Sequence, residues 1–417
     1  MQARQMQAAR QWMCGLVWLL AGPLAVAQPA SSASGDAFAR CLDTLVQQAA
    51  AKGVAPATAR SLLDGIGADR SVLPLLDRQP EFTTPIWDYL AGLVDDQRIA
   101  DGRQAMGVHA ALLDVVSARY GVDAATIVAV WGVESDYGRT FGKRPLLQSL
   151  ATLSCEGRRQ PFFRGELVAL LQLLASGDLQ AEGLVGSWAG AFGHTQFMPS
   201  TYQRIAVDGD GDGRRDLVGS IPDALASTAN YLKRAGWRTG QAWGVEVRVP
   251  AGFDPALAGR TRRQPLSAWR ARGLRLADGQ PLSAAGIGDG DNAALLLPAG
   301  SRGPALLVFR NYDAIYSYNA AESYALAIAT LADRLRGQPP LVQPWPTDDP
   351  GLDRAGRRAL QALLLQRGHA IGEVDGMIGS ATRQAIASEQ RRLGWAADGR
   401  AGSRILQALR QDTPPQP

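Results

Sequence analysis

Val130-Trp131-Gly132-Val133-Glu134-Ser135-Asp136-Tyr137-Gly138 is the stretch on which the reading turns. Asp123 has the side chain of a helix N-cap and Gly138 that of a stop, so the apolar run between them predicts a helix over 124–137. Glu134 stands in its last turn, beside Val130, Trp131 and Tyr137. Burial and the partial negative charge of a helix C-terminus both disfavour an ionised carboxylate, and a carboxyl that keeps its proton near neutrality is what a general acid requires. A solvated glutamate at a helix end would carry the same letters, so context decides. Asp136, two residues on, falls on a different helix face and reads as structural or solvated.

The context lies downstream, in Ser187-Trp188-Ala189-Gly190-Ala191-Phe192-Gly193-His194-Thr195-Gln196-Phe197-Met198-Pro199-Ser200. Its small residues let backbone approach a ligand closely, its aromatics offer flat faces for sugar rings, and Gln196 supplies an amide donor and acceptor. Tight helix packing is the other reading of the same letters. Next comes Asp208-Gly209-Asp210-Gly211-Asp212-Gly213-Arg214, the first half of a calcium loop, with acids at alternate positions, glycine at the sixth and Arg214 at the backbone-carbonyl position. The twelfth position is Gly219 rather than an acid, so a calcium loop and an acidic Gly-rich turn both stand open.

The chain has 417 residues, 46% hydrophobic and 20% charged, enough to bury a full core and to divide into two or more domains; disorder throughout is excluded. A net charge of +4 is mildly basic, but the chain has only three lysines and no dense basic stripe, so a nucleic-acid partner is not indicated. His109, His194 and His369 are scattered, with no H-E-x-x-H and no G-x-S-x-G, which disfavours zinc- and serine-hydrolase chemistry. Residues 12–27 are apolar, follow Arg4 and Arg10, and end in Ala25-Val26-Ala27, so 1–27 reads as a secretory signal peptide, with an uncleaved N-terminal anchor as the alternative. Cys14 sits near the start of that stretch, whereas a lipid-modified cysteine would follow it, so lipoprotein anchoring is disfavoured. Export to the periplasm leaves Cys41 and Cys155 in an oxidising compartment, where they are expected to pair, two buried free thiols being the alternative.

From 36 to 119 the pattern is helical, as in Phe38-Cys41-Leu42-Leu45 and Ile86-Tyr89-Leu90-Leu93, and further helices are expected over 167–174, 221–235 and 323–336. Short apolar runs at 245–249, 293–297 and 305–309, separated by Gly and Pro, predict a β-containing insertion at about 243–310 in the helical body. A Pro-rich linker at 338–352 is expected to tether a C-terminal domain without fixing its orientation. In that domain, Asp375-Gly376-Met377-Ile378-Gly379-Ser380 returns as Asp398-Gly399-Arg400-Ala401-Gly402-Ser403, each copy predicting a turn and a Ser-capped helix. With Leu360, Leu363 and Leu364 marking an earlier helix, 353–412 reads as a three-helix unit.

G-V-E-S-x-Y-G at 132–138, G-A-x-G-x-x-Q-F-M-P-S at 190–200, then Tyr318-Asn319 and Ser323-Tyr324 before a closing helix resemble the lytic murein transglycosylase B family in order and spacing, over roughly 38–336. The resemblance implies a mainly α chain with a goose-lysozyme-like catalytic domain over 28–337. It makes Glu134 catalytic and lines the groove with Tyr89, Ser187, Trp188, Gln196, Met198, Tyr231, Tyr318, Asn319 and Tyr324. It also offers Asp223 as the late carboxylate of a structural calcium loop, with no cofactor needed for chemistry. The implied reaction cleaves the β-1,4 bond between N-acetylmuramic acid and N-acetylglucosamine and leaves a 1,6-anhydromuramic acid end. One glutamate acts as acid and then base with help from the substrate's acetamide, unlike the paired carboxylates of most glycosidases. A hydrolytic muramidase and a non-catalytic, calcium-dependent wall-binding protein are the rivals.

The tail resembles the peptidoglycan-binding domain of wall hydrolases through Gly368, Val374-Asp375-Gly376, Ile378-Gly379, Thr382, Ala385-Ile386, Gln390 and Asp398-Gly399, departing where Glu389 replaces the usual apolar residue. Ten arginines against six acids over 353–412 suit an anionic polymer. The expected partners are peptidoglycan glycan strands and other cell-wall enzymes, with the protein a monomer.

Overall fold

The helix Ala124–Ser135 is buried from Ala125 through Gly132, and a helix apolar on every side has to lie inside a bundle. Glu322–Leu335, Asp96–Val108, Ala110–Tyr120 and Ile221–Arg234 surround it. As the sequence predicts, Asp123 caps its start, Oδ1 accepting from the Thr126 amide at 3.0 Å. Its end comes earlier than predicted: Asp136 takes the left-handed conformation at φ 50°, so the last turn closes at Ser135 and not at Tyr137. This computed structural model describes residues 30–77, 80–285, 288 and 291–412; the expected signal peptide over 1–27, Cys14 included, lies outside them. Among the described residues no helix is long and apolar enough to cross a membrane.

A second core gathers the N-terminal helices Ala30–Ala50 and Pro56–Leu63 with Leu146–Cys155, Gln160–Ser176 and Pro199–Ile205. Tyr231 and Tyr318 pack against both cores, so the seam between them runs through these two rings. Within that second core, Cys41 and Cys155 form the expected disulfide, with Cα atoms 5.8 Å apart and 114 residues between them.

The insertion is a five-stranded antiparallel sheet in the order Gln264–Pro265, Asn292–Leu296, Ala305–Val308, Gly244–Arg248, Arg275–Leu276. The three apolar runs read from the sequence are its central strands, each displaced by a residue or less. Leu307 stands opposite both Val245 and Leu295. Trp269 is wholly buried beneath the sheet, its indole N–H donating to the Ala293 carbonyl at 3.0 Å.

The tail forms the expected three helices, Arg354–Gln366, Ser380–Arg392 and Ser403–Gln411, around their own core. A glutamine clamps each copy of the repeated turn. Gln361 donates to Asp375 Oδ1 at 2.9 Å and accepts from the Gly376 amide at 2.7 Å; Gln390 does the same for Asp398 and Gly399 at 2.6 and 2.8 Å. Glu389 is tolerated in place of an apolar residue because His369 Nε2 and Arg392 Nε hold its two oxygens at 2.7 and 2.8 Å. The Ser caps are corrected: Gly379 and Gly402 occupy the N-cap positions, and the Arg404 amide finds its acceptor in Asp349 Oδ1 at 2.8 Å.

The linker is corrected too. Leu341 and Trp345 pack on the main core, Glu246 accepts from the Val342 and Gln343 amides at 2.7 and 2.8 Å, and Arg400 ties Asp88 at 2.6 Å to Asp349. The segment is a strap that fixes the module. Proline restricts the unfolded strap while the acids that hold it lie far away in sequence, so composition alone reads as a tether. Several arginines counted toward an anionic polymer, Arg354, Arg367, Arg392 and Arg400 among them, are already paired within the chain.

Closing a loop of 114 residues restricts the unfolded chain strongly, by about 5 kcal/mol on loop-entropy arithmetic. Replacing both cysteines by serine is expected to lower stability by about 2–5 kcal/mol in a denaturant titration, and added reductant should reproduce that loss in the unaltered protein but not in the variant.

Candidate functional site

Nearly every residue of 130–138 has a structural duty. Gly132 must lack a side chain, since a Cβ there would lie 2.6 Å from the Tyr137 ring. Tyr137 folds back over it with φ 60°, its ring edge-on to Trp131 at 5.7 Å and its hydroxyl donating to the Arg98 carbonyl at 2.8 Å. The Trp131 indole donates to His194 Nδ1 at 3.0 Å, and Ser135 Oγ donates to the His194 carbonyl at 2.8 Å. Gly138 leaves room for the His194 ring, which a Cβ would meet at 2.4 Å. The two motifs noted in the sequence are therefore one assembly. Burial pushes the His194 pKa down to about 4, which keeps Nδ1 free to accept.

Asp136 collects arginines. Burial opposes its ionisation, but hydrogen bonds from Arg354 and the charges of Arg98, Arg354 and Arg139 hold its carboxyl below the usual carboxylate range. It is structural, as expected.

Among the described residues no cation pairs with Glu134. Its Oε1 accepts from the Tyr324 hydroxyl, and it keeps some exposed surface. Burial pushes its pKa up to about 8 against the Tyr324 hydrogen bond, and the charge of Glu81 pushes the same way. Three tyrosines crowd the seam: Tyr318 lies 4.5 Å from Tyr231 and 6.4 Å from Tyr324 between ring centres. The Tyr318 hydroxyl donates to the Thr195 carbonyl at 2.8 Å, and that of Tyr231 to the Ser317 carbonyl at 2.6 Å. Burial, with the Glu134 carboxylate nearby, pushes the Tyr318 and Tyr324 hydroxyls far up, so they act as donors. Tyr89 is pushed up in the same way by burial, Glu81 and Glu134.

Of the expected groove residues, Tyr324 is buried against Glu134, while Tyr89, Ser187, Trp188, Gln196, Met198, Tyr231, Tyr318 and Asn319 all keep partial exposure. Two details differ from the sequence reading. Phe192 and Phe197 are core residues at 0% and 2% exposure, which leaves Trp188 as the aromatic of that segment with an accessible face. The Gln196 amide nitrogen shapes its own loop, donating to the Gly193 carbonyl at 2.9 Å, and Ser187 Oγ accepts from the Ala191 amide at 3.0 Å. Glu81, on the four-residue helix Pro80–Thr83, is the acid that the sequence reading missed. It lies 3.5 Å from Asn319 Nδ2, and no local pattern marks it, because the chain brings it there from 53 residues upstream of Glu134.

In the acidic loop, Asp208, Asp210 and Asp212 bring carboxylate oxygens within 4.8 Å of one another. Carboxylates so close repel unless a cation lies among them, and an all-oxygen set suits a hard dication. Asp223 reaches the same loop but clamps its backbone, accepting from the Gly209 and Asp216 amides at 2.7 and 2.6 Å, while the Arg214 amide donates to Asp212 at 2.8 Å. Two cavities of about 690 and 620 Å³ flank the 338–352 strap and not Glu134.

Comparison with known proteins bears on this geometry. The family model for the transglycosylase SLT domain matches residues 37–333, and that for the peptidoglycan binding domain matches 353–409. Over 222 residues the chain is 38% identical to membrane-bound lytic murein transglycosylase B of Escherichia coli; the match covers 50% of this chain and 56% of that relative, so it spans just over half the relative's length. Among solved structures, SltB3 from Pseudomonas aeruginosa in complex with NAG-anhNAM-pentapeptide is 48% identical, with 89% of this chain and 99% of that one covered and a TM-score of 0.71. The Escherichia coli transglycosylase Slt35 in complex with calcium is 31% identical, with 73% and 94% covered and a TM-score of 0.62. The first family match takes in both motifs that build the Glu134 site, and the chain belongs to the transglycosylase SLT domain family.

Proposed function

We propose that the chain is a peptidoglycan lytic transglycosylase, with 28–337 as its catalytic domain and 353–412 as its wall-binding module, exported to the periplasm by the segment 1–27. The observation that carries this reading is Glu134: a carboxyl with no counter-cation among the described residues, its pKa pushed up to about 8 in a seam of tyrosines. Glu134 gives its proton to the glycosidic oxygen leaving muramic acid. The carboxylate so formed then takes the proton of the muramoyl C6 hydroxyl as that oxygen closes on the anomeric carbon, leaving the 1,6-anhydro end. The Tyr324 hydroxyl steadies the carboxylate between the two steps. Tyr89, Ser187, Trp188, Gln196, Met198, Tyr231, Tyr318 and Asn319 line the glycan path.

Glu81 favours one second reading. A carboxylate close enough to act on Glu134 could activate water, which would make the protein a hydrolytic muramidase. Mass spectrometry of the muropeptides released from purified sacculi separates the two, since products lacking one water belong to the transglycosylase and reducing ends to the hydrolase. Replacing Glu134 by Gln should lower turnover by about three orders of magnitude while leaving sacculus binding intact, which also excludes a purely wall-binding protein.

The raised pKa sets the sign of the pH dependence. Proton donation requires the protonated form, so kcat/KM should fall as pH rises through about 8. The Tyr324 hydrogen bond lowers that pKa, so Tyr324→Phe should move the alkaline limb to higher pH while also reducing kcat.

We also infer that 208–216, with Asp208, Asp210 and Asp212 as ligands, Arg214 through its backbone and Asp223 closing the loop, takes a structural calcium ion, in line with the calcium-bound Slt35 structure. Millimolar calcium should raise the melting temperature, chelation should reverse the rise, and Asp210→Asn should abolish it.

A further inference from the structure

Asp136 lies two residues beyond Glu134, and it is where the 353–412 module grips the helix that carries Glu134. Arg354 spans both oxygens of its carboxylate, Nη2 to Oδ1 at 2.9 Å and Nη1 to Oδ2 at 3.3 Å. Its Nε lies 3.7 Å from Asp95 Oδ2, the acid that caps Asp96–Val108 by accepting from the Arg98 amide at 2.9 Å. The Arg354 and Asp136 side chains are only 12% and 18% exposed. A two-bond fork of this kind, largely out of water, fixes distance and direction in a way that a surface ion pair does not. The position also needs fixing. Asp136 and Tyr137 are consecutive left-handed residues without the freedom of glycine, and the Asp136 amide donates to the Gly132 carbonyl at 3.1 Å, closing the turn that contains Glu134.

We propose that Arg354 is a positioning residue for Glu134, holding the end of its helix through Asp136, so that the C-terminal module acts on turnover as well as on wall binding. The inference rests on Glu134 being the proton donor. Other contacts between the module and the helical body lack this property: Arg400 bonds Asp88 as well as Asp349 in the strap, and Arg357 donates to the Gly92 carbonyl at 3.2 Å. Neither forms a bond to Asp136.

The test uses the full chain and soluble, uncrosslinked glycan strands, with kcat and KM measured separately for Arg354→Ala, Arg354→Lys, Asp136→Asn and Arg400→Ala, each checked by thermal melting. Arg354→Ala should lower kcat about tenfold with KM held within about twofold, since a small misplacement of a reacting group acts on the chemical step. Arg354→Lys should recover part of that loss, because a point charge restores attraction but not the fork. Asp136→Asn, which loosens Arg98 and Arg139 as well as Arg354, should lower kcat at least as much as Arg354→Ala, and Arg400→Ala should keep kcat. If Arg354→Ala does not stay folded at the assay temperature, the lysine variant carries the comparison. An unchanged kcat in Arg354→Ala, or an equal loss in Arg400→Ala, would overturn the proposal. Glu134→Gln is run alongside: full turnover there removes the proton donor and this inference with it, whereas loss there beside a normal Arg354→Ala removes this inference alone.

Discussion

A carboxyl group in an apolar seam keeps its proton near neutrality only while no cation can reach it, and much of this fold maintains that exclusion around Glu134. Three arginines, Arg98, Arg139 and Arg354, come as near as Asp136, two residues beyond it, and all three pair with that acid. The left-handed backbone at Asp136 ends the helix and directs that acid away from the seam, toward the arginines. On the seam side the neighbours are hydroxyls and another acid: Tyr324 hydrogen-bonds the carboxyl, Glu81 raises its pKa, and the Tyr318 and Tyr89 hydroxyls are themselves pushed up beside it. Two acids on one turn thus have opposite chemistry because their surroundings differ.

Much of this was legible in the sequence, wherever the signal was local. Asp123 announces the helix start, the alternation at 245–249, 293–297 and 305–309 announces the sheet, and the repeated Asp-Gly turn announces paired units in the tail. The family resemblance rested on the order and spacing of several motifs, and the reason why the first two, at 132–138 and 190–200, belong together becomes visible only in three dimensions. Trp131 bonds the ring of His194, Ser135 bonds its carbonyl, and two glycines make room. What could not be read was non-local. Glu81 reaches the site from a short helix with no pattern of its own, and Phe192 and Phe197 are as buried as any leucine although aromatic residues beside glycine suggest a sugar platform.

The module shows the same limit. Arg354 and Asp136 are 218 residues apart and Arg400 and Asp88 are 312 apart, so nothing in the Pro-rich segment warns that it is bolted down at both ends. Once docked, the strap and the module form part of the wall around the bundle that carries Glu134, with Leu341 and Trp345 packed on the same core as Trp131. The strap and the module are thus held to the same bundle that carries Glu134 by ion pairs and apolar packing.

The protonation state of Glu134 can be observed directly. Titrating the carbon-13 resonance of glutamate side-chain carboxyls in the intact protein, and assigning Glu134 by its absence in the Gln variant, measures its pKa without reference to substrate or product. A midpoint near 8 is the expected result. A midpoint near 4.5, the ordinary glutamate value, would mean that the seam does not hold the proton and would contradict the account at its centre.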